Sequence, residues 1–279
     1  MLRIIAPTDF STDGYNATLV AMQLAKLLSA EVIFVHAMAK PPVPATAPEG
    51  LFLSLYQEEE RKTRNRLHEE CQHLTDILNL RHGEVLYRTL VVPTPFSESM
   101  LQLIARENID LIVMGSRGSS NLKQILIGSN TLELLRRTPV PLLVIPSDSI
   151  FNGFSHIAVL LEQQTLPERK GLDMLRKLLN LYQAKLHFLI LTTDGEMVRQ
   201  IEETAMTPTA WHGILEHGKD TTQLAEADAL VGMGPLLSGM GVDLLVLLPE
   251  QQSIWESLFS KNITEELAAR AHMPLLALP

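Results

Sequence analysis

The sequence predicts an α/β protein made of two tandem, doubly wound, mostly parallel five-stranded sheets with helices on both faces. Two observations predict this fold. Short apolar segments alternate with amphipathic ones, which is typical of a parallel sheet covered by helices. The chain also repeats itself, because residues 109–146 align without a gap with residues 242–279, and both copies end in an apolar strand followed by proline.

The first copy predicts five strands alternating with four helices. Its strand segments are almost continuously apolar, and its helix segments carry apolar residues at a spacing of three or four. The predicted strands are Leu2–Ala6, Glu31–Met38, Val85–Val92, Asp110–Met114 and Val140–Ile145. The predicted helices are Asn16–Leu28, Glu58–Leu80, Phe96–Glu107 and Asn130–Arg137, with a proline-rich loop before the second. The second copy follows the same order, although its middle is less regular.

A linker is expected between the copies. Ser, Asp, Asn and Gly cluster near residues 147–155, as they do in connecting segments. We therefore expect one domain over residues 1–147 and a second over residues 155–279.

Composition narrows the choice of partners and compartment. The chain carries 23 Lys and Arg against 32 Asp and Glu, a formal net charge of -9, which argues against nucleic acid or an anionic membrane as the main partner. It has a single cysteine, Cys71, so no intrachain disulfide forms, in keeping with a reducing compartment. No signal-peptide pattern and no membrane-length apolar run is found, so we expect a cytoplasmic protein.

A glycine-rich loop is the most informative segment. Gly115-Ser116-Arg117-Gly118 begins where an apolar strand ends, and Gly128-Ser129 follows nine residues later at the start of the next helix. Ligands of open α/β sheets bind at the carboxyl ends of strands. Glycines let backbone amides approach phosphate closely, and a helix start favours an anion. Arg117 and Lys123 would add positive charge.

The spacing of this loop excludes two common motifs. No Gly-Lys-Ser/Thr follows, so the loop is not a Walker P-loop, and the dinucleotide motif Gly-x-Gly-x-x-Gly is absent. Instead, Gly-x2-Gly-x9-Gly-Ser is similar to the nucleotide-binding signature of universal stress proteins. The opening Ile5-Ala6-Pro7-Thr8-Asp9-Phe10-Ser11 and the strand end Phe34-Val35-His36-Ala37 also resemble that family. The resemblance covers residues 1–146 well and residues 155–279 in a degenerate form.

The resemblance implies an adenine-nucleotide alpha-hydrolase-like fold that binds ATP or AMP. It implies that Asp9 bonds the ribose or the adenine edge, that Pro7 and Thr8 shape that pocket, and that Val35 contacts adenine. The phosphates would be held by Gly115, Gly118, Gly128, Ser129 and Asn130. Mg²⁺ would enter only with the phosphates of the nucleotide.

Each of these residues also has a simpler explanation. Asp9 would begin a turn or cap the following helix. Gly115 and Gly118 would be ordinary loop glycines, and Ser129 only an N-cap. Their joint occurrence on successive strand ends of one fold favours the ligand.

The second copy lacks the signature. Leu248 stands at the position of Gly115, and the remaining aligned positions carry Gln251, Lys261, Asn262 and, opposite Asp9, Glu162 or Gln163. Side chains at the glycine positions should block phosphate, so we expect a structural or regulatory role for residues 155–279. The family resemblance also implies that the final strands pair the two domains back to back inside one chain. A further homodimer of chains is not specified by the sequence.

Three functions compete at this point. The first is a nucleotide-binding stress or regulatory protein with at most slow ATP hydrolysis, since no clear general base or arginine finger accompanies the loop. The second is a nucleotide-free interaction scaffold. The third is a metabolic enzyme on a related fold, for which no motif supplies a second substrate pocket.

Other candidate residues have simple structural interpretations. His68, Cys71 and His73 do not share one helical face, so a solvated helix is expected rather than a metal site. Trp211, His212 and His217 lie near a probable strand and are expected to be core or surface residues rather than a site.

Overall fold

The first half of the chain alternates strands and helices. A computed structural model of the chain describes residues 1–40, 49–117, 127–146, 149–161, 166–192, 207–225, 235–248 and 273–279. The strands are β1 (Arg3–Pro7), β2 (Glu31–Met38), β3 (Leu86–Pro93), β4 (Leu111–Gly115) and β5 (Leu142–Ile145). The helices are α1 (Thr12–Leu28), α2 (Glu49–Ile77), α3 (Phe96–Glu107) and α4 (Ser129–Arg137).

The second half supplies five more strands. They are β6 (His156–Leu161), β7 (Lys185–Thr192), β8 (Asp220–Ala225), β9 (Leu244–Leu247) and β10 (Leu275–Ala277). Helix α5 (Leu172–Tyr182) connects β6 to β7, and two short 3₁₀ turns, Thr209–Trp211 and Leu215–His217, precede β8. The elements thus follow the strand-helix order of the first half as far as the described residues extend.

All ten strands form one sheet in the order β3-β2-β1-β4-β5-β10-β9-β6-β7-β8. Neighbouring strands are parallel except β5 and β10, which run antiparallel where the halves meet, with Leu143 opposite Leu276. Each half contributes five strands in the same order when read inward from its own edge. The α/β, mostly parallel fold is therefore confirmed, and the two sets of five strands share a single sheet.

Apolar side chains cover both faces of this sheet. Ile4 and Ile5 of β1 are both fully buried and point to opposite sides. Ile4 belongs to a core with Leu24 of α1 and Leu74 of α2, whereas Ile5 packs with Leu103 of α3 and further residues of α4. Because alternate residues of a strand face opposite sides, this burial produces the nearly continuous apolar strands seen in the sequence.

Helix α2 is longer than expected. It begins at Glu49 rather than at Glu58. The added turns are rich in helix-forming residues, but their apolar side chains are exposed, as in Leu53 at 51%. Hydrophobic periodicity predicts a helix only where one face is buried, so the pattern did not predict these exposed first turns of α2. Within the described ranges no helix, α2 included, is both long and apolar enough to cross a membrane.

Helix α1 also begins earlier than expected, at Thr12 instead of Asn16. Ser11 is its N-cap, and the Ser11 hydroxyl oxygen accepts a hydrogen bond from the amide of Gly14 at 3.1 Å. A polar first turn closed by a serine cap has no apolar periodicity, which is why the pattern located only the later, buried turns.

An ion-pair network ties together the amino ends of the strands in the first half. Arg88 of β3 lies 2.9 Å from Glu31 of β2 and 2.6 Å from Glu107 at the end of α3. Arg3 of β1 adds a contact to Glu31 at 3.3 Å. These groups are half-buried and form a network, so they hold three strands and a helix end in register more firmly than isolated surface pairs would.

Histidines occupy the amino ends of the strands in the second half. Nδ1 of His156 on β6 lies 3.1 Å from Nε2 of His187 on β7, and Asp220 of β8 is the register partner of His187. Burial lowers the pKa of His187 below its ordinary value, His156 and Lys185 lower it further, and Asp220 opposes the shift. The hydrogen bond needs one shared proton, so a doubly protonated pair would be repulsive.

We expect acidification to destabilise the protein through this pair. Because the folded-state pKa of His187 is lowered, the unfolded chain takes up the proton first. The contribution of His187 to the free energy of unfolding is therefore fully present above the ordinary pKa of 6.5. It is lost as the pH falls through the lower folded-state value. Urea unfolding of the wild type and of His187→Gln between about pH 8 and pH 5 measures this contribution to the free energy of unfolding.

His217→Gln is the matched control for this experiment. His217 hydrogen-bonds the Ala184 carbonyl and the Asn180 side chain beside α5, away from the pair. Equal pH dependence in the wild type and His187→Gln would contradict the prediction.

Candidate functional site

Residues of β1, β2 and β4 meet at the carboxyl edge of the sheet. Pro7 ends β1 and lies opposite Val35 of β2. The amide of Thr8 donates to the carbonyl of Val35 at 2.9 Å, and the Val35 side chain is fully buried. Strand β4, whose last residue is Gly115, is the other neighbour of β1. The sheet therefore brings these four expected site residues to one edge.

Asp9 organises the turn between β1 and α1. Its Oδ1 accepts hydrogen bonds from the amide of Ser11 at 3.0 Å and from the Ser11 hydroxyl. Since Ser11 in turn caps α1, the expected turn role of Asp9 is confirmed. This bonding fixes the carboxylate next to the strand ends, where the family resemblance assigns it to the ribose or the adenine edge.

The Thr8 hydroxyl faces helix α2. Thr8 is buried, with 6% of its surface exposed. Its Oγ1 accepts from the amide of Phe10 at 3.0 Å. Thr8 is also close enough to Glu70 of α2 to lower the pKa of that carboxyl. Thr8 thus shapes the strand end from behind, beside α2.

Glu70 is a half-buried carboxyl that sequence reasoning missed. Burial raises its pKa, hydrogen bonds from Thr18 and Thr8 and the charge of Arg66 oppose the shift, and Asp9 adds to it. Thr18 donates to Glu70 Oε1 at 3.0 Å. The helical spacing could have indicated its position on the inner face of α2, because Glu70 stands three residues after buried Leu67 and four before buried Leu74.

Gly115 is required by packing. A Cβ on Gly115 would lie 2.8 Å from the carbonyl oxygen of Asp13 in the first turn of α1. The Gly115 carbonyl accepts a hydrogen bond from Thr131 of α4 at 3.1 Å. The end of β4 therefore touches α1 on one side and α4 on the other. Thr131 was not predicted, although the repeat alignment pairs it with Thr264.

Gly128 closes the base of the loop that follows β4. Its amide donates to the carbonyl of Ser116 at 2.7 Å, and Gly128 is the N-cap of α4. No side chain caps this helix end, and Ser129 and Asn130 are exposed in its first turn. The simpler interpretation of Ser129 as the N-cap is therefore wrong. A helix start without a side-chain cap presents amide donors to an anion.

Arg117 is paired with an acidic residue of α1. Its Nε lies 3.3 Å from Asp13 Oδ2, and both side chains are largely buried. The ion pair holds the loop against α1 and partly neutralises the charge expected to face the phosphates. Gly118 and Lys123 lie outside the described residues.

Comparison with known proteins identifies the family. The model of the universal stress protein family matches residues 1–146. The chain belongs to the universal stress protein family. Universal stress protein MJ0577 of Methanocaldococcus jannaschii is 28% identical over 152 residues, covering 51% of this chain and 93% of the relative. Stress response protein NhaX of Bacillus subtilis is 26% identical over 164 residues, covering 51% and 96%.

Solved structures share the fold over nearly the whole chain. A universal stress protein from Archaeoglobus fulgidus covers 99% of this chain and 95% of its own, with a TM-score of 0.64 and 16% identity. A structure from Pseudomonas aeruginosa, described as a putative universal stress protein, covers 99% and 92% with a TM-score of 0.57 and 13% identity. At these identities the likeness shows the fold alone.

The second half of this universal stress protein differs at the strand end that matches Gly115. Leu248 is 5% exposed and packs into the apolar core shared with α1 and α5. An apolar side chain therefore follows β9 where β4 ends in glycine. The other aligned positions, Gln251, Lys261, Asn262, Glu162 and Gln163, lie outside the described residues.

The histidine and cysteine group of α2 is not a metal site. His68 contacts Gln72 at 3.1 Å and is exposed, as is His73, whereas Cys71 is buried. Burial, with a smaller effect of Glu70, raises the pKa of the Cys71 thiol to about 12. Among the described residues no three His, Cys, Asp or Glu side chains are placed to hold a metal ion.

Proposed function

We propose that the first half of this chain binds an adenine nucleotide, ATP or AMP, and that the protein acts as a nucleotide-dependent stress-response or regulatory protein. One observation carries the proposal. The hydrogen bond from Gly128 to Ser116 brings the two ends of the glycine motif together beside the uncapped start of α4. That arrangement presents backbone amides to phosphate at the carboxyl edge of the sheet.

The base and the ribose would lie over the ends of β1 and β2. There the Asp9 carboxylate, fixed by Ser11, is the polar group for the ribose or adenine edge. The backbone of Val35 would lie next to the base, with Pro7 opposite it at the same strand ends. Thr8 supports these strand ends through the hydrogen bond from its amide to the Val35 carbonyl.

The phosphates would lie along the amides of Ser129 and Asn130 at the start of α4, where Gly115 and Gly128 leave room for them, with Gly118 completing the motif. The amide of Gly128 itself is bonded to the Ser116 carbonyl. Arg117 would contribute only the part of its charge that Asp13 leaves uncompensated. Mg²⁺ would be carried in by the phosphates rather than held by a preformed carboxylate cage. No residue is assigned as a general base in this proposed site, so we expect ATP hydrolysis to be slow at most.

The proposed organisation is two domains, over residues 1–147 and 155–279, paired through β5 and β10. Nucleotide would bind the first domain only, because Leu248 fills the position of Gly115 in the second. Leu248 also favours the alternative function for that half, an interaction scaffold without nucleotide. The buried thiol of Cys71 is compatible with a reducing, cytoplasmic location.

Calorimetric titration of the nucleotide-stripped full chain with ATP·Mg tests the proposal. We expect one site per chain, with AMP competing for it. Two sites would contradict the degenerate second domain. Silence with ATP, ADP and AMP alike would overturn nucleotide binding and leave the scaffold as the better interpretation.

A further inference from the structure

Three side chains stack together beside the turn that carries Asp9. The Phe10 ring stacks on the His36 imidazole, with centroids 4.6 Å apart, and Cζ of Arg66 lies over the Phe10 ring, 4.0 Å from its centroid. His36 is hydrogen-bonded to the Thr8 carbonyl through Nδ1 at 2.9 Å. One residue from each of the β1–α1 turn, β2 and α2 therefore meets in this stack.

The backbone at Phe10 is constrained. Its φ of 61° lies in the left-handed region, which a bulky side chain rarely adopts. Such a conformation persists only where its surroundings fix it. Phe10 directly follows Asp9, so its φ angle sets the direction in which the chain leaves the Asp9 turn. Phe10 is held in that conformation by the contacts of its ring with Arg66 and His36 and by the hydrogen bond from its amide to Thr8 Oγ1.

A second set of contacts restrains the same turn. Glu70, one helical turn along α2 from Arg66, accepts a hydrogen bond from the Thr18 hydroxyl at 3.0 Å, which ties α2 to the helix that follows the turn. On the opposite side a Cβ on Gly14 would lie 2.9 Å from Oδ1 of Asp9, so α1 packs tightly against the carboxylate. The Asp9 turn thus lies between α1 and α2, and Arg66 is the residue of α2 in this group that is exposed to solvent.

We infer that Arg66 is a positioning residue for the nucleotide site, acting through Phe10 on the Asp9 turn. The inference rests on the proposed function. Arg66 need not touch the nucleotide, because its guanidinium acts on the Phe10 ring. Helix α2 thereby connects its long exposed amino-terminal half to the orientation of the group that recognises ribose or adenine.

Titration of Arg66→Ala with adenosine, AMP and ATP·Mg tests this inference. Losing the cation–π contact should weaken binding about three- to tenfold. The factor should be the same for all three ligands, because the affected group recognises the nucleoside. Arg66→Lys keeps a cation over the ring and should recover part of the affinity. Arg64→Ala, which removes an exposed ion pair to Glu60 on the same helix, is the control and should bind normally.

Phe10→Asn separates the stack from the backbone. Asparagine tolerates the left-handed region, so the turn is kept while the ring is lost. We expect a loss at least as large as in Arg66→Ala, because the contact with His36 is lost as well, and no further loss when Arg66→Ala is added, because its partner ring is already absent. Circular dichroism at the titration temperature ensures that all variants compared are folded.

Three outcomes overturn the inference. Unchanged affinity in Arg66→Ala removes the role. A loss that grows from adenosine to ATP means that Arg66 contacts phosphate directly. Additive losses in the double variant mean that the stack is not the route. If the wild type itself binds none of the ligands, the proposed function fails first, and this is seen before any variant is compared.

Discussion

Gly128→Val is expected to abolish ATP binding while leaving the fold intact. Gly128 has φ -65° and ψ 155°, which is extended backbone that any residue adopts. Valine therefore introduces no strain there, but its branched side chain would stand where the phosphate must approach the amides at the start of α4. Loss of two amide bonds to a charged phosphate corresponds to a roughly 100-fold weaker Kd or more.

The measurement is a calorimetric titration with ATP·Mg beside a thermal melt without ligand. Gly50→Val is the matched control, because the space around Gly50 at the start of α2 is open. It should bind as the wild type does. Retained affinity in Gly128→Val, with an unchanged Tm, would show that phosphate does not lie at this helix start and would contradict the site.

Gly115 would be a poor choice for the same test. Its missing Cβ makes room for the Asp13 carbonyl at 2.8 Å, a backbone atom that cannot move aside cheaply. A substitution at Gly115 would disturb the packing of β4 on α1 as well as any ligand contact, at a cost of about 1–3 kcal/mol in the free energy of unfolding. The two glycines look alike in the motif but differ in physical role, and only the structure separates them.

The sequence predicted most of the first half because burial there follows regular periods. The bounds of β2 and α3 were predicted to the residue, since buried apolar side chains run through each element at the period of a strand or a helix. The start of α2 was missed because Leu53 and its neighbours are exposed on a helix that extends beyond the core. The two halves join into one sheet through the pairing of β5 with β10, and these two strands are far apart in the chain.

The candidate site shows the same division. The motif residues could be named because glycine spacing and strand ends are local features. The groups that orient them could not, since Asp13 meets Arg117, and Glu70 meets Thr8, only after α1 and α2 pack on the sheet. Long-range contacts of this kind leave no spacing signal, and for Glu70 the only trace was a carboxyl on the buried side of a helix.

Trp211→Ala is expected to cause the largest loss of stability, about 3–5 kcal/mol in the free energy of unfolding. The sequence left core and surface positions both open for Trp211, and the structure places it in the core. It is fully buried, its ring lies 6.1 Å from that of Phe188 in β7, and its Nε1 donates to the Pro167 carbonyl at 2.7 Å. The substitution leaves a large cavity and an unpaired carbonyl.

Trp211→Phe separates these two effects, because it keeps most of the volume and removes only the hydrogen bond; it should cost about 1–2 kcal/mol. Urea unfolding followed by far-UV circular dichroism measures both variants. The core that contains Trp211 also contains Ile4 of β1, and β5 and β10 join the halves in one sheet, so a single transition shifted to lower urea is expected. Two separated transitions, with only one shifted by Trp211→Ala, would mean that the halves unfold independently and that the shared sheet does not couple them. A loss below about 1 kcal/mol would contradict the core role itself.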